Sequence, residues 1–351
     1  MAKPVVHRTY RSLTVALLSS ALLLTACAQS AEPRGQSAAA PVLPDPPGAT
    51  ASPSIAAPNV SAGADISATS ASTPTPSRAD ASSTSDASTD RSPSSQATPR
   101  KPVTVVSSAR KGVGVWNFEG AGQALANSGA GWFYTWGTGY PGVTAPRGAS
   151  FVPMIWGAAS VTTEELARAK AAGPYLLGFN EPDMAEQSNM SVERALELWP
   201  RLMATGSTLG SPAVAWGGAD PGGWLDRFMA GAKERGYRVD FITLHWYGGD
   251  FTTANAVDQL RRYVEAVHRR YGKPIWLTEF ALIRFDGGGQ QFPSQAQQAA
   301  FLSAATKMLA GLSYVQRYAW FGLPATDRDR SGLFRTGTQA TAVGRAFQAA
   351  R

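Results

Sequence analysis

The chain has 351 residues, 44% of them hydrophobic and 16% charged, with a formal net charge of +7 and one cysteine. Eight Lys/Arg and six Asp/Glu up to residue 106 account for +2, which leaves a scattered +5 for the remainder and no run of basic residues among aromatics, so a nucleic-acid footprint is excluded. A lone cysteine also excludes an intrachain disulfide.

The first 27 residues read as an export signal. Lys3, Arg8 and Arg11 form a positive start, and an apolar stretch over residues 13–24 follows. That stretch is too short for a mature membrane span. It ends in Leu24-Thr25-Ala26-Cys27, which resembles the bacterial lipoprotein box, and this resemblance implies lipidation at Cys27. The expected location is extracytoplasmic, anchored by lipid to the cell envelope. Residues 28–107 contain no Phe, Tyr or Trp and are dominated by Ala, Ser, Thr, Pro, Asp and Gly. Such a segment cannot bury enough apolar surface to offset its ordering entropy, so a disordered tether is predicted, with a mean reach of about 50 Å.

Residues 108–351 carry the folded domain. Eight short apolar runs stand out, at residues 113–117, 132–136, 151–156, 175–180, 208–215, 241–247, 275–280 and 316–321. Each has the length and composition of a buried parallel strand. Amphipathic helices are predicted over 163–172, 191–205, 223–235, 255–271 and 294–311. Thr163-Glu164-Glu165 and Ser191-Val192-Glu193 set hydroxyls before acids, as helix N-termini prefer. Gly173, Gly236 and Gly272 stand where helix ends favour glycine. Eightfold strand–helix alternation predicts a (β/α)8 TIM-type barrel, with the first two units shortened for lack of residues. An open doubly wound sheet is the alternative, although no Gly-rich phosphate loop follows the first strand.

Barrel active sites sit at the C-terminal ends of the strands. The fourth run ends in Asn180-Glu181-Pro182-Asp183 and the seventh in Thr278-Glu279-Phe280. Two glutamates facing each other across a barrel mouth suit glycoside hydrolysis, which needs one carboxyl at the leaving oxygen and one at the anomeric carbon. Most other glutamates fall on helices; Glu119, after the first strand, is kept as a subsite candidate. The sixth run ends in His245-Trp246-Tyr247, and alternation sets His245 and Tyr247 on one face and Trp246 on the other. His245 and Tyr247 are expected to orient Glu279 or touch sugar, and Trp246 to pack. Trp136, Trp156 and Trp320 end other strands and are candidate sugar platforms. Three histidines, none at ligand spacing, suggest neither a metal nor a cofactor.

The Asn180-Glu181-Pro182 and Thr278-Glu279-Phe280 segments resemble the clan of retaining barrel glycosidases. More narrowly, Trp132-Phe133-Tyr134-Thr135-Trp136, Leu177-Gly178-Phe179-Asn180-Glu181-Pro182-Asp183, Leu244-His245-Trp246-Tyr247, Trp276-Leu277-Thr278-Glu279-Phe280 and Tyr318-Ala319-Trp320-Phe321, in that order, resemble the glycoside hydrolase family 128 catalytic core. That resemblance implies a shortened barrel, Glu181 as acid/base, Glu279 as nucleophile and endo cleavage of β-1,3-glucan; Asn180, beside the acid, is placed to hydrogen-bond the sugar 2-hydroxyl, and a monomer is expected. The alternatives are a non-catalytic wall-binding lipoprotein using the same cleft, and the same chemistry on another β-glycan.

Overall fold

The computed structural model describes residues 105, 107–286, 289–326 and 330–350. The signal segment, the Cys27 lipidation site and the linker through residue 104 lie outside the described residues. No helix among those described is long and apolar enough to cross a membrane.

Each of the eight predicted runs overlaps one of eight staves of one ring, although the first stave, Ser108–Gly114, lies earlier than the run at 113–117 and shares only Val113 and Gly114 with it. β1 (Ser108–Gly114) pairs in parallel with β2 (Ala130–Tyr134), and β2 with β3 (Ser150–Phe151). A single parallel bridge, Met154 to Leu177, joins the third stave to the fourth, β4 (Tyr175–Leu176). β4 pairs with β5 (Thr208–Leu209), and a bridge from Gly210 to Phe241 carries the ring to β6 (Ile242–Tyr247). β6 pairs with β7 (Ile275–Ala281), β7 with the eighth stave at Val315–Trp320, and that stave with β1. Closure is therefore complete and parallel throughout, although two seams rest on single bridges. The runs at 151–156 and 208–215 give shorter ladders than their apolar length suggests. Pro153 and Pro212 have no N–H to donate, so regular pairing stops beside them.

The units differ in size as expected. α1 (Ala121–Ser128) links β1 to β2, and no helix lies between β2 and β3. The five predicted helices appear as α2 (Thr163–Ala172), α3 (Val192–Met203), α4 (Trp224–Glu234), α5 (Thr253–Tyr271) and α6 (Gln295–Ala310). Thr162 and Ser191 cap α2 and α3, and Ser294 with Gln297 forms a full capping box on α6. Two elements come without a sequence signal. An antiparallel hairpin, β8 (Arg284–Asp286) with β9 (Gly289–Gln291), follows β7, so the eighth stave is β10 (Val315–Trp320). A final helix, α7 (Ala342–Ala349), closes the chain; the buried Lys111 on β1 donates to its Phe347 and Ala350 carbonyls at 3.0 and 2.9 Å.

Strand alternation divides the core into two layers. Trp132, Tyr134, Met154, Leu177, Phe241 and Trp276 fill the inside of the barrel. Phe133, Leu176, Leu244, Leu277, Tyr318 and Trp320 face the helices. Indoles fit inside a narrow barrel because the neighbouring strand β1 gives up side chains beside them. A Cβ on Gly112 would lie 2.2 Å from the Trp132 ring, and one on Gly114 2.7 Å from the Trp136 ring. Any larger residue on β1 at these points would displace an indole.

Candidate active site

The mouth of the barrel gathers side chains that lie far apart in sequence. Glu181 ends the fourth stave and Glu279 the seventh, and both are almost wholly buried. His245, at the end of β6, lies between them. Its Nδ1 is 2.8 Å from Glu181 Oε1, and its Nε2 is 3.5 Å from Glu279 Oε1. One oxygen of Glu181 and one of Glu279 lie within 4.8 Å of each other.

Local backbone irregularities produce this aim. β7 carries one extra residue at Thr278–Glu279 relative to both neighbours: Leu277 pairs with Leu244 and Tyr318, whereas Glu279 pairs with His245 and Phe280 with Trp320. A bulge of this kind re-aims a side chain at a barrel rim. Glu181 has φ 39° and Trp136 has φ 58°, left-handed values rare for residues with a Cβ. Such conformations cost about 1–3 kcal/mol each and persist where surrounding structure imposes them, which is typical of active sites.

Glu279 accepts hydrogen bonds from three aromatic side chains. Trp136 Nε1–H donates to Oε1 at 2.7 Å and Tyr247 OH to Oε2, while Tyr134 OH is shared between the Thr278 carbonyl at 2.9 Å and Glu279 Oε1 at 3.2 Å. Burial, reinforced by the Glu279 charge, pushes both tyrosine hydroxyls well above their ordinary range, so they stay protonated donors. Glu181 is set differently. Burial raises its pKa; the His245 hydrogen bond and charge oppose the rise, and the Glu279 and Asp183 charges add to it. Burial alone would lower His245, but the surrounding carboxylates outweigh it and the ring pKa is raised. Glu181 thus holds its proton to higher pH than an ordinary carboxyl, as a general acid requires, beside a second carboxyl held by hydrogen bonds.

Several polar atoms at the mouth are buried without a protein partner. Glu181 Oε2, Asn180 Oδ1 and Trp156 Nε1 belong to this set. A buried unpaired polar atom costs about 1–3 kcal/mol, so three at one mouth mark groups shaped for something brought from outside. Glu181, His245 and Glu279 are also the one trio among the described residues whose donor atoms are close enough to hold a metal ion. His245 Nδ1 is engaged by Glu181, and both Glu279 oxygens already accept hydrogen bonds. The pattern is that of two carboxylates set by donors.

Comparison with known proteins follows the same line. A family model described as the glycosyl hydrolase catalytic core matches residues 114–347. The solved structure of a GH128 (subgroup I) endo-β-1,3-glucanase from Amycolatopsis mediterranei, in complex with laminaritriose, is 59% identical, covers 70% of this chain and 100% of its own, and superposes with a TM-score of 0.67. The chain belongs to glycoside hydrolase family 128. A subgroup II endo-β-1,3-glucanase of this family from Sorangium cellulosum is 30% identical over 69% of this chain and 98% of its own, with a TM-score of 0.59. Alkali-sensitive linkage protein 1 of Schizosaccharomyces pombe is 31% identical over 215 residues, 59% of this chain; the match spans 37% of that protein's length.

Most of the residues singled out in the sequence converge in this family 128 barrel. Asn180, Glu181, His245, Tyr247 and Glu279 share the mouth, and Asn180 Nδ2 donates to Gln187 Oε1 at 3.1 Å. Trp246 points away and stacks on Phe301, as alternation required. Trp156 is half-buried beside Asn180, whose N–H donates to its carbonyl at 2.8 Å. Trp136 is in the site, but as a nearly buried hydrogen-bond donor to Glu279 and not as an open face. Trp320 is a correction. It is fully buried among Phe280 and Phe301 on the helix side of β10, with its indole N–H on the Ser331 carbonyl at 2.8 Å, so no sugar can reach it. The residue of this segment that turns to the mouth is Phe321, whose ring lies 5.6 Å from Trp116, 5.9 Å from Trp136 and 5.5 Å from Tyr247. Tyr134 was also missed, although period-two alternation from Trp136 signals it. Trp216, 52% exposed and edge-on to Phe285, had no signal because it lies one residue past the fifth run.

Proposed function

We propose that this protein is a retaining endo-β-1,3-glucanase in which Glu279 is the nucleophile and Glu181 the acid/base. One observation carries the retaining assignment: the two carboxyl groups approach within 4.8 Å. Retaining enzymes hold their pair about 5–5.5 Å apart, and inverting enzymes about 6.5–9.5 Å to admit a water between carboxylate and sugar. The substrate class and the endo mode are supported by the 59% identity to the Amycolatopsis endo-β-1,3-glucanase.

In the first step Glu279 attacks the anomeric carbon, the glycosidic C–O bond breaks, and the Glu181 proton passes to the departing oxygen. Glu181 Oε1 is occupied by His245, which leaves the unpartnered Oε2 to present that proton. In the second step Glu181 takes a proton from water, water oxygen bonds the anomeric carbon, and Glu279 departs as carboxylate. Trp136, Tyr134 and Tyr247 hold Glu279 in place by hydrogen bonds through the cycle. Asn180, with Oδ1 free of protein partners, is placed to accept the sugar 2-hydroxyl.

Laminarin hydrolysis by the full chain, followed by proton NMR of the anomeric signals, tests the reading. The first product is expected as the β-anomer, with a ladder of oligosaccharides, and Glu279→Gln is expected to abolish release. An initial α-anomer would reject retention; absence of new reducing ends from the wild type would reject the enzyme reading altogether.

We further propose that the barrel is exported and lipid-anchored through Cys27, acting on glucan outside the cytoplasm. The support is the Leu24-Thr25-Ala26-Cys27 segment with the chain's one cysteine at its end. Palmitate labelling of the wild type but not of Cys27→Ala is the expected result, and labelling of neither protein, or equal labelling of both, would sink it.

A further inference from the structure

Glu181 leaves strand geometry at the point where its side chain must point into the cleft, and the ladder between the fourth and fifth staves records how the chain absorbs this. Ala213 N–H donates to the Phe179 carbonyl at 2.9 Å, and Glu181 N–H donates back to the Ala213 carbonyl at 2.7 Å. A parallel ladder continued by two residues would bring Ala215 N–H to the Glu181 carbonyl. The left-handed Glu181, with φ 39°, instead turns that carbonyl to the Met184 N–H at 3.1 Å. Asp183 fills the vacated place: its Oδ1 accepts from Ala215 N–H at 3.0 Å. The carboxyl is partly buried, which raises its pKa, and backbone N–H groups of Ala215, Asp183 and Trp216 oppose that rise. The fifth stave is thereby kept in register up to the exposed Trp216.

From this substitution of a side chain for a main-chain acceptor we infer that Asp183 is a positioning residue, locking Glu181 in its left-handed pose and fixing the proton donor relative to the Trp216 loop. This inference rests on Glu181 being the acid. Without the Asp183 acceptor, Ala215 N–H is left unpaired unless Glu181 relaxes toward extended backbone and returns its carbonyl to the ladder. That relaxation swings the Glu181 carboxyl out of line with the leaving oxygen, and acid catalysis depends on such placement.

Leaving-group dependence tests it in the full chain. Asp183→Ala is expected to lower kcat on laminarihexaose, whose leaving alcohol needs protonation, by about 100-fold. On a 2,4-dinitrophenyl β-laminari-oligosaccharide, whose leaving group needs none, the loss is expected to stay below about 10-fold. Asp183→Asn keeps an oxygen for Ala215 N–H and is expected to restore most of the lost rate. Should the alanine variant not fold, Asp183→Ser, too short to reach, replaces it in the same comparison. Equal losses on both substrates, or failure of Asn to restore, would overturn the lock. Glu181→Ala run alongside separates the two readings: if it shows no leaving-group discrimination, the acid assignment itself falls, whereas discrimination by Glu181→Ala without discrimination by Asp183→Ala rejects only the role of Asp183.

Discussion

Trp136 donates its indole N–H to Glu279 Oε1 across 2.7 Å, from a backbone held in the left-handed region at φ 58°. The two residues belong to β2's end and β7, which are not neighbours in the ring, so the bond spans the barrel mouth. Its consequence is a carboxylate fixed in direction. A hydrogen bond to a charged group contributes about 1.5–3 kcal/mol. Trp136→Phe keeps an aromatic ring beside Tyr134, 4.8 Å away, though a smaller one, and has no N–H to donate. The variant is expected to fold normally by circular dichroism and to lose about 10–100-fold in kcat/KM on laminarin. A loss below twofold would show that Tyr134 and Tyr247 suffice to hold the nucleophile.

The pH profile follows from the raised pKa of Glu181. The reaction needs this group protonated, so kcat/KM is expected to fall as pH rises through a value above the ordinary 4.5. Burial drives the rise, and His245 opposes it by its hydrogen bond and charge. Removing the opposing group therefore moves the limb upward. In His245→Gln the alkaline limb of kcat/KM is expected at higher pH than in the wild type, together with a lower plateau from the lost orientation. Initial rates measured from pH 3 to pH 10 give the result; a limb moved toward lower pH would contradict the assigned sign.

The sequence carried the fold through its alternation of apolar runs and capped helices, and carried the carboxylate pair through its position at the ends of the fourth and seventh runs. Other features turn on geometry that periodicity does not encode. The bulge at Thr278–Glu279 shifts β7 by one residue against both neighbours, and no residue type announces it. The two single-bridge seams depend on where Pro153 and Pro212 interrupt the ladder. The β8–β9 hairpin is too short and polar to be read as strands, yet it places Phe285 against both Tyr247 and Trp216. Tryptophans were the least legible. Trp136, Trp156 and Trp320 all end apolar runs, but a strand end alone does not say which face the ring takes, and in β10 the inward positions fall to Arg317, Ala319 and Phe321.

Trp216 and Trp320 separate these two fates of a tryptophan, and their alanine variants are expected to differ in kind. Trp320 is fully buried against Phe280 and Phe301 and donates to Ser331. Truncating it opens a cavity in the helix-facing layer, at about 3–5 kcal/mol. Trp320→Ala should therefore unfold at a much lower temperature, while the fraction that remains folded keeps the KM of the wild type. Trp216 is 52% exposed, with its ring edge-on to Phe285 at 6.1 Å, and Phe285 is in turn edge-on to Tyr247 at 5.6 Å. Pyranose C–H faces stack on such rings, and removing a surface ring changes stability by only about 0.5 kcal/mol. Trp216→Ala should keep its melting temperature and raise KM several-fold for laminarihexaose, with kcat little altered. Thermal denaturation and oligosaccharide kinetics on the same two proteins check both halves, and a KM unchanged in Trp216→Ala would remove this residue from the binding groove.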